Sequence, residues 1–179
     1  MMVIGRASSA DLAAVLEILD GAARWLHQQG IDQWPTGLPS LSPDRIAAQI
    51  QRGETYLISE DCAPIATIAV SAAGDPDYWT AAELAEPAVY ISKTAVIRSR
   101  AGAGVGALVL RWVVDQAAAQ DARWARLDIS KTNPRLETYY RAQGWTYVRT
   151  ADASHRRGGV LFQRAATPDP EARAALSRQ

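Results

Sequence analysis

The chain has 179 residues, 48% hydrophobic and 21% charged, a composition that suits one globular domain around a single core. Lysine plus arginine and aspartate plus glutamate number 19 each, so no global field favours nucleic acid or an anionic membrane as partner. Arg6, Asp11 and Glu17 break up any N-terminal apolar segment, and no run reaches the roughly 18 to 20 apolar residues of a membrane span, so a cytoplasmic protein is expected.

"MVIGRAS" reads as a first strand. "SSADLAAVLEILDGAARWLHQQG" follows as a helix, with Ser8 or Ser9 as cap, Gly30 as stop, and apolar residues from Leu12 to Leu26 at helical spacing. A proline-rich loop leads to a second helix, "SPDRIAAQIQRG", where Ser42 caps and Pro43 takes the first position. "ETYLISE" and "APIATIAVSA" form a hairpin, and residues 73–87 make a long connection of the kind that carries function or moves. Then come a strand at "AVYISKTAVI", the helix "GALVLRWVVDQAAAQ", a strand at "WARLDIS", the helix "PRLETYYRAQ", and strands at "WTYVRT" and "GGVLFQR". Residues 1–165 thus form one domain, and residues 166–179 read as a polar, frayed tail. The order is α/β, mostly antiparallel at first, with a strand-helix-strand unit at its centre.

The stretch "RSRAGAGVGALVL" sets Gly102, Gly104 and Gly106 just before the apolar run of that central helix. A nucleotide-hydrolase phosphate loop needs Gly-Lys-Ser/Thr at its end, and Ala107 and Leu108 follow Gly106 instead. The dinucleotide fingerprint is met by Gly102, Gly104 and Ala107, with Asp128 downstream. However, fewer than eighty residues remain, too few for a doubly wound sheet. The favoured reading is a pyrophosphate cradle of converging amides at a helix start, flanked by Arg98 and Arg100. The bland reading is a tight loop that needs glycine for geometry alone.

The segment "TAV" (Thr94 to Val96), then "AGAGVG" (Ala101 to Gly106) and a helix, resembles the GNAT superfamily of acetyl-CoA-dependent N-acetyltransferases. A second family pattern, Asn133, Tyr140, Gly144 and Trp145, is matched in full and in order. The resemblance implies a mixed, mostly antiparallel sheet with helices on both faces over roughly residues 3–165. It departs at Ala101, where the family usually carries Arg or Gln, and at Thr94, which replaces a common leucine.

By that resemblance, acetyl-CoA would lie between the strand before the glycine loop and the strand after the helix. The backbone of Thr94, Ala95 and Val96 would hold the pantetheine arm and polarise the thioester carbonyl. Ala101, Gly102, Ala103, Gly104, Val105 and Gly106 would cradle the pyrophosphate, with Arg98 or Arg100 compensating for Ala101. Asn133 would touch the pantetheine from the other side, and Tyr140 would be the acid for the departing thiolate, ahead of its neighbour Tyr139. A protonated amine is no nucleophile, so a base is also needed. Asp128 stands where the branch that acetylates protein N-termini carries a glutamate; the competing reading is an ion pair with Arg126. Glu83 and Glu86 are alternative bases, or else a solvated loop face. His27 and His155 are candidates in principle only. Direct attack by the amine requires no acyl-enzyme, no metal and no part for Cys62.

The acceptor would be a small-molecule or peptide amine, met by the loops. Trp34, Tyr78 and Trp79 could wall its pocket and Asp75, Asp77, Glu83 and Glu86 could draw it in, although Trp34 could equally pack beneath the first two helices. A homodimer is in keeping with family habit. Two other functions stay in view: a catalytically silent CoA-binding sensor or subunit, and a nicotinamide oxidoreductase.

Overall fold

The computed structural model describes residues 1–35, 37–151 and 158–178. Strand β1 (Met2–Arg6) enters helix α1 (Leu12–Gln28) through a one-turn 3-10 segment, where Asp11 Oδ2 accepts from the Ser8 amide at 2.8 Å. Val15, Ile18, Leu19 and Leu26 recur at helical spacing and form the buried face of α1. Helix α2 (Pro43–Gln51) begins at Ser42 with Pro43 in its first turn, as the sequence predicts. Strands β2 (Thr55–Glu60) and β3 (Ala63–Ser71) form the predicted hairpin. Its two-residue turn puts both Asp61 and Cys62 at positive φ (49° and 68°).

The connection after β3 is less open than its composition suggests. It contains a helical turn, α3 (Ala81–Leu84), closed by a reciprocal box: Thr80 Oγ1 accepts from the Glu83 amide and Glu83 Oε2 accepts from the Thr80 amide. Strand β4 (Ala88–Val96), helix α4 (Val105–Ala118) and strand β5 (Trp124–Ile129) form the central parallel unit. Helix α5 (Pro134–Ala142) and strands β6 (Thr146–Thr150) and β7 (Val160–Ala165) follow, β7 inserting between β5 and β6.

The frayed tail is overturned. Residues after Ala165 form helix α6 (Pro170–Ala175) and a short strand β8 (Ser177–Arg178) parallel to β1, with Ala172 and Leu176 fully buried. Asp169 caps α6 through the Ala172 amide, and Pro170 supplies the fixed φ of its first turn.

The sheet order is β6-β7-β5-β4-β3-β2-β1-β8, antiparallel except for β4–β5 and β1–β8. Helices α1 and α2 cover one face, packing Val15, Leu19, Ile46 and Ile50 with Ala95. Helix α4 covers the other, packing Val109, Leu110, Trp112 and Val113 with Ile58, Ile68, Ile91 and Leu127. Helices on both faces of a mixed sheet match the predicted architecture. Among the described residues, no helix is long and apolar enough to cross a membrane.

Candidate functional site

Strands β4 and β5 pair from Ala88–Trp124 to Ile91–Leu127 and then part. The cause lies on the other edge of β4. Between Ser92 and Ala95, which face Ala69 and Thr67, two residues of β4 stand against one of β3. The first of them, Lys93, has φ +51°. A bulge bends its strand and strengthens its twist, so the C-terminal half of β4 leaves β5 and the sheet opens as a wedge.

Side chains line this wedge as one cavity of about 610 Å³. Lys93 and Thr94 come from β4, Asp128 from β5, Ser130 from the turn that follows it, Tyr140 from α5 and Trp34 from the α1–α2 loop. A recess of about 400 Å³ adjoins it, reaching Arg52, Glu54 and Tyr90 and sharing Asp75, Tyr78, Ser92 and Asp128 with the first.

Beyond β4 the chain makes a 3-10 turn and then the glycine turn. Gly102 and Gly104 have φ of +79° and +80°, a backbone that L side chains resist, which accounts for glycine at both positions. Gly104 caps α4 without a side-chain hydrogen bond, and the first amide bonded back to it is that of Leu108. The amides of Val105, Gly106 and Ala107 therefore point out of the helix start, where its dipole favours an anion. A β-carbon at Gly106 would come within 3.2 Å of the Tyr139 hydroxyl, so Tyr139 sits at the helix start while Tyr140 faces the cavity.

A family model for the acetyltransferase (GNAT) family matches residues 19–145 of this chain. The chain belongs to that family. An uncharacterized N-acetyltransferase, YesJ, from Bacillus subtilis (strain 168) is 27% identical over 162 residues, covering 89% of this chain and 87% of the relative. The crystal structure of a GNAT-family acetyltransferase from Listeria monocytogenes superposes with a TM-score of 0.78 at 19% identity, over 92% of this chain and 94% of the other. The PaiA N-acetyltransferase from Thermoplasma acidophilum, crystallised in complex with coenzyme A, gives 0.69 at 11% identity over 92% and 99%. The chain is thus a GNAT acetyltransferase, an acyltransferase by family.

In this GNAT acetyltransferase the predicted residues have the following surroundings. Tyr140 is 7% exposed, packed against Trp145 and Phe162. Burial first, then Tyr139 and Asp128, push its phenol well above the ordinary tyrosine range. Thr94 is half-buried, and Ala95 is buried under α1 and α2. Asn133 is buried before α5, its Nδ2 donating to Gln33 Oε1 at 2.7 Å. Arg98 stacks over Trp25 with 4.0 Å to the ring centroid, and Arg100 is ion-paired with Glu60, so both guanidiniums have protein partners.

The expected alternatives resolve differently. Arg126, fully buried, donates to the Glu86 carboxylate, to the Glu83 carbonyl at 2.6 Å and to Gln163, and its guanidinium lies over Trp79. Glu86 rather than Asp128 therefore supplies the carboxylate that pairs with Arg126. Glu83 is clamped by Arg149 at 2.7 Å, which, with the Thr80 box, holds its carboxyl down at about 2. Neither glutamate is a solvated loop face, and both are spent on structure.

Trp34 does two things, packing on the α1–α2 core and lining the cavity. Trp79, 3% exposed, is gripped between Tyr90, Arg126 and Arg149 as part of the recess floor. His27 lines a separate cavity of about 570 Å³ with Asp20 and Arg24, Cys62 is exposed at the hairpin tip, and His155 lies outside the described residues. Lys93 and Gln33 were not singled out by the sequence. A lysine within a strand pattern carries no mark of positive φ, and the Asn133–Gln33 bond spans one hundred residues.

Proposed function

We propose that the chain transfers an acetyl group from acetyl-CoA to a primary amine of a small molecule or peptide, by direct attack of the amine on the thioester. One observation carries this reading: β4 parts from β5 beside a glycine turn whose helix-start amides are uncapped. That arrangement fits a long thioester carrier with a diphosphate at one end, the amides of Gly102 and of Gly104 to Gly106 taking the phosphates and the wedge taking the arm, while the predicted Ala101 and Ala103 amides already donate to the Arg98 and Arg100 carbonyls. Acetyl-CoA supplies the activated acyl group and a leaving thiolate.

Asp128 takes the proton from the incoming ammonium, directly or through one water. The β4 backbone at Thr94, Ala95 and Val96 holds the thioester carbonyl and stabilises the charge that develops on its oxygen. After the C–N bond forms, Tyr140, held protonated by burial, gives its proton to the sulfur as the C–S bond breaks, and its phenolate takes up the second proton leaving the nitrogen. Asn133 positions the arm from the α5 side. Trp34, Tyr78 and Trp79 shape the acceptor end. The coenzyme A bound to the Thermoplasma relative supports the choice of carrier.

The test is release of free CoA across polyamines, aminoglycosides, amino acids and peptide N-termini, beside acetyl-CoA titration. Turnover with at least one amine, lost on Tyr140→Phe, is the expected result. Tight acetyl-CoA binding with no turnover of any amine would make the chain a silent CoA-binding protein instead.

A further inference from the structure

The cavity wall carries a cation used neither by the fold nor by the steps above. Lys93 stands in the β4 bulge with φ +51°, a left-handed backbone that is strained for a residue with a β-carbon. Its side chain is half-buried and lines the wedge cavity. Among the described residues its ammonium makes no hydrogen bond or ion pair. Burial lowers its pKa, Arg52 and Arg45 add to that, and Glu54 and Asp128 act against it. Arg45, exposed on α2, lines the same cavity and likewise has no counterion among the described residues.

A half-buried ammonium without an anion is unfavourable, and backbone strain at the same residue adds to the penalty. Such a residue suits an anion that arrives with a ligand, whose binding offsets the desolvation already incurred. Across the wedge, Asp128 on β5 lines the same cavity and is the proposed acceptor of the amine's proton. The acceptor end therefore presents a carboxylate on one strand and a cation on the other. Gln49, more than nine-tenths buried, reaches the adjoining recess, its Oε1 has no partner among the described residues, and it can take a further donor from the ligand.

We infer that the acceptor is an amine that also carries a carboxylate, an amino acid or a close relative, with its amino group toward Asp128 and its carboxylate on Lys93 and Arg45. This rests on the acetyl-transfer reading. A carboxylate fits better than a phosphate, because Glu54 and Asp128 lie close enough to act on Lys93 and would repel a dianion more strongly.

The test compares each amino acid with its carboxamide and its aminophosphonate analogue, using wild type, Lys93→Gln and Lys93→Asn. Asparagine tolerates the left-handed backbone, so that variant removes the charge without adding strain. For at least one amino acid, kcat/KM is expected to exceed that of its carboxamide by about tenfold or more, the scale of one charge-assisted contact. In both variants that ratio falls toward one through a higher KM for the acid, while acetyl-CoA affinity holds.

Carboxamides that serve as well as the acids, phosphonates that serve better, or a ratio that survives in both variants would each overturn the inference. Where acetyl-CoA binds but no amine is acetylated, the transfer reading fails by itself. Calorimetric titration of the amino acids into CoA-loaded protein then decides this site. Binding that Lys93→Asn abolishes supports it, and no binding overturns it.

Discussion

Asn133 Nδ2 donates to Gln33 Oε1 at 2.7 Å, and this bond ties the α1–α2 loop on one side of the wedge to the start of α5 on the other. Asn133 is 5% exposed, so removing Gln33 strands a buried donor. We expect Gln33→Ala to cost about 1 kcal/mol, a fall in Tm of about 2–4 °C for a chain of this size. Asn133→Ala should weaken acetyl-CoA about tenfold if its amide holds the arm, and Gln33→Ala should weaken it less. Calorimetric titration with acetyl-CoA and thermal melts measure both. Tighter acetyl-CoA in Gln33→Ala would mean that Gln33 competes for Asn133 instead of orienting it.

Tyr140 is proposed as an acid, and its surroundings set the pH range of that role. Its folded pKa lies above the unfolded value of about 10, so the phenol keeps its proton throughout the neutral range. We expect Tyr140→Phe to lower kcat about 100-fold, with a far smaller effect on acetyl-CoA affinity. The sign for stability follows from the raised value. The contribution is intact below pH about 10 and is lost as the pH rises beyond it. Denaturant melts at pH 8 and above should show this alkaline loss in wild type and a smaller one in the Phe variant, where the Tyr139 phenol, also raised by burial, remains.

Much of this was legible in the sequence because it is local. Helical spacing, the Ser42–Pro43 start and the glycines before α4 each act within a few residues, and each structural element they predict is present. The motif pair around Gly104 and Asn133 sufficed for the family. What escaped depends on distant partners. The fraying expected after Ala165 followed from its polar composition. Yet Asp169–Pro170 is a helix start, and Ala172 and Leu176 bury against strands and a helix far away in sequence. Thr80 and Glu83 spell a capping box inside what reads as an open loop. Glu83 and Glu86 look solvated until Arg149 and Arg126 arrive from β6 and β5. The bulge at Lys93, which opens the wedge, has no glycine to announce it.

Glu83 gives a pH dependence of the opposite sign. Arg149 and the Thr80 box hold its carboxyl at about 2, below the unfolded value near 4.3, so its stabilisation is present above that value and fades as pH falls toward 2. We expect Glu83→Gln to lose about 2–3 kcal/mol at pH 7, since the pair is partly shielded from solvent. The gap to wild type should shrink by more than half by pH 3. Urea melts at pH 7, 4 and 3 test this, and a gap constant with pH would assign the loss to packing rather than charge.

Asp115 fixes the C-terminal segment to the body of the molecule. Fully buried on α4, it accepts from Arg173 at 2.6 and 3.0 Å and from the Asp169 amide at 2.9 Å, and Arg173 above all holds its pKa below the ordinary value. Asp115→Ala leaves that amide unpaired and frees Arg173. We expect a loss of about 2 kcal/mol, less than for a fully buried pair because Arg173 is 56% exposed. Since α6 and β8 are held by this pair and by Ala172 and Leu176, the loss should be local before it is global. Limited proteolysis should cut the variant between Ala166 and Pro170 while the rest of the chain resists. Hydrogen exchange should quicken in β1, whose outer edge β8 covers. A tail that was frayed from the start would show neither change, because Asp115 would then have nothing to hold.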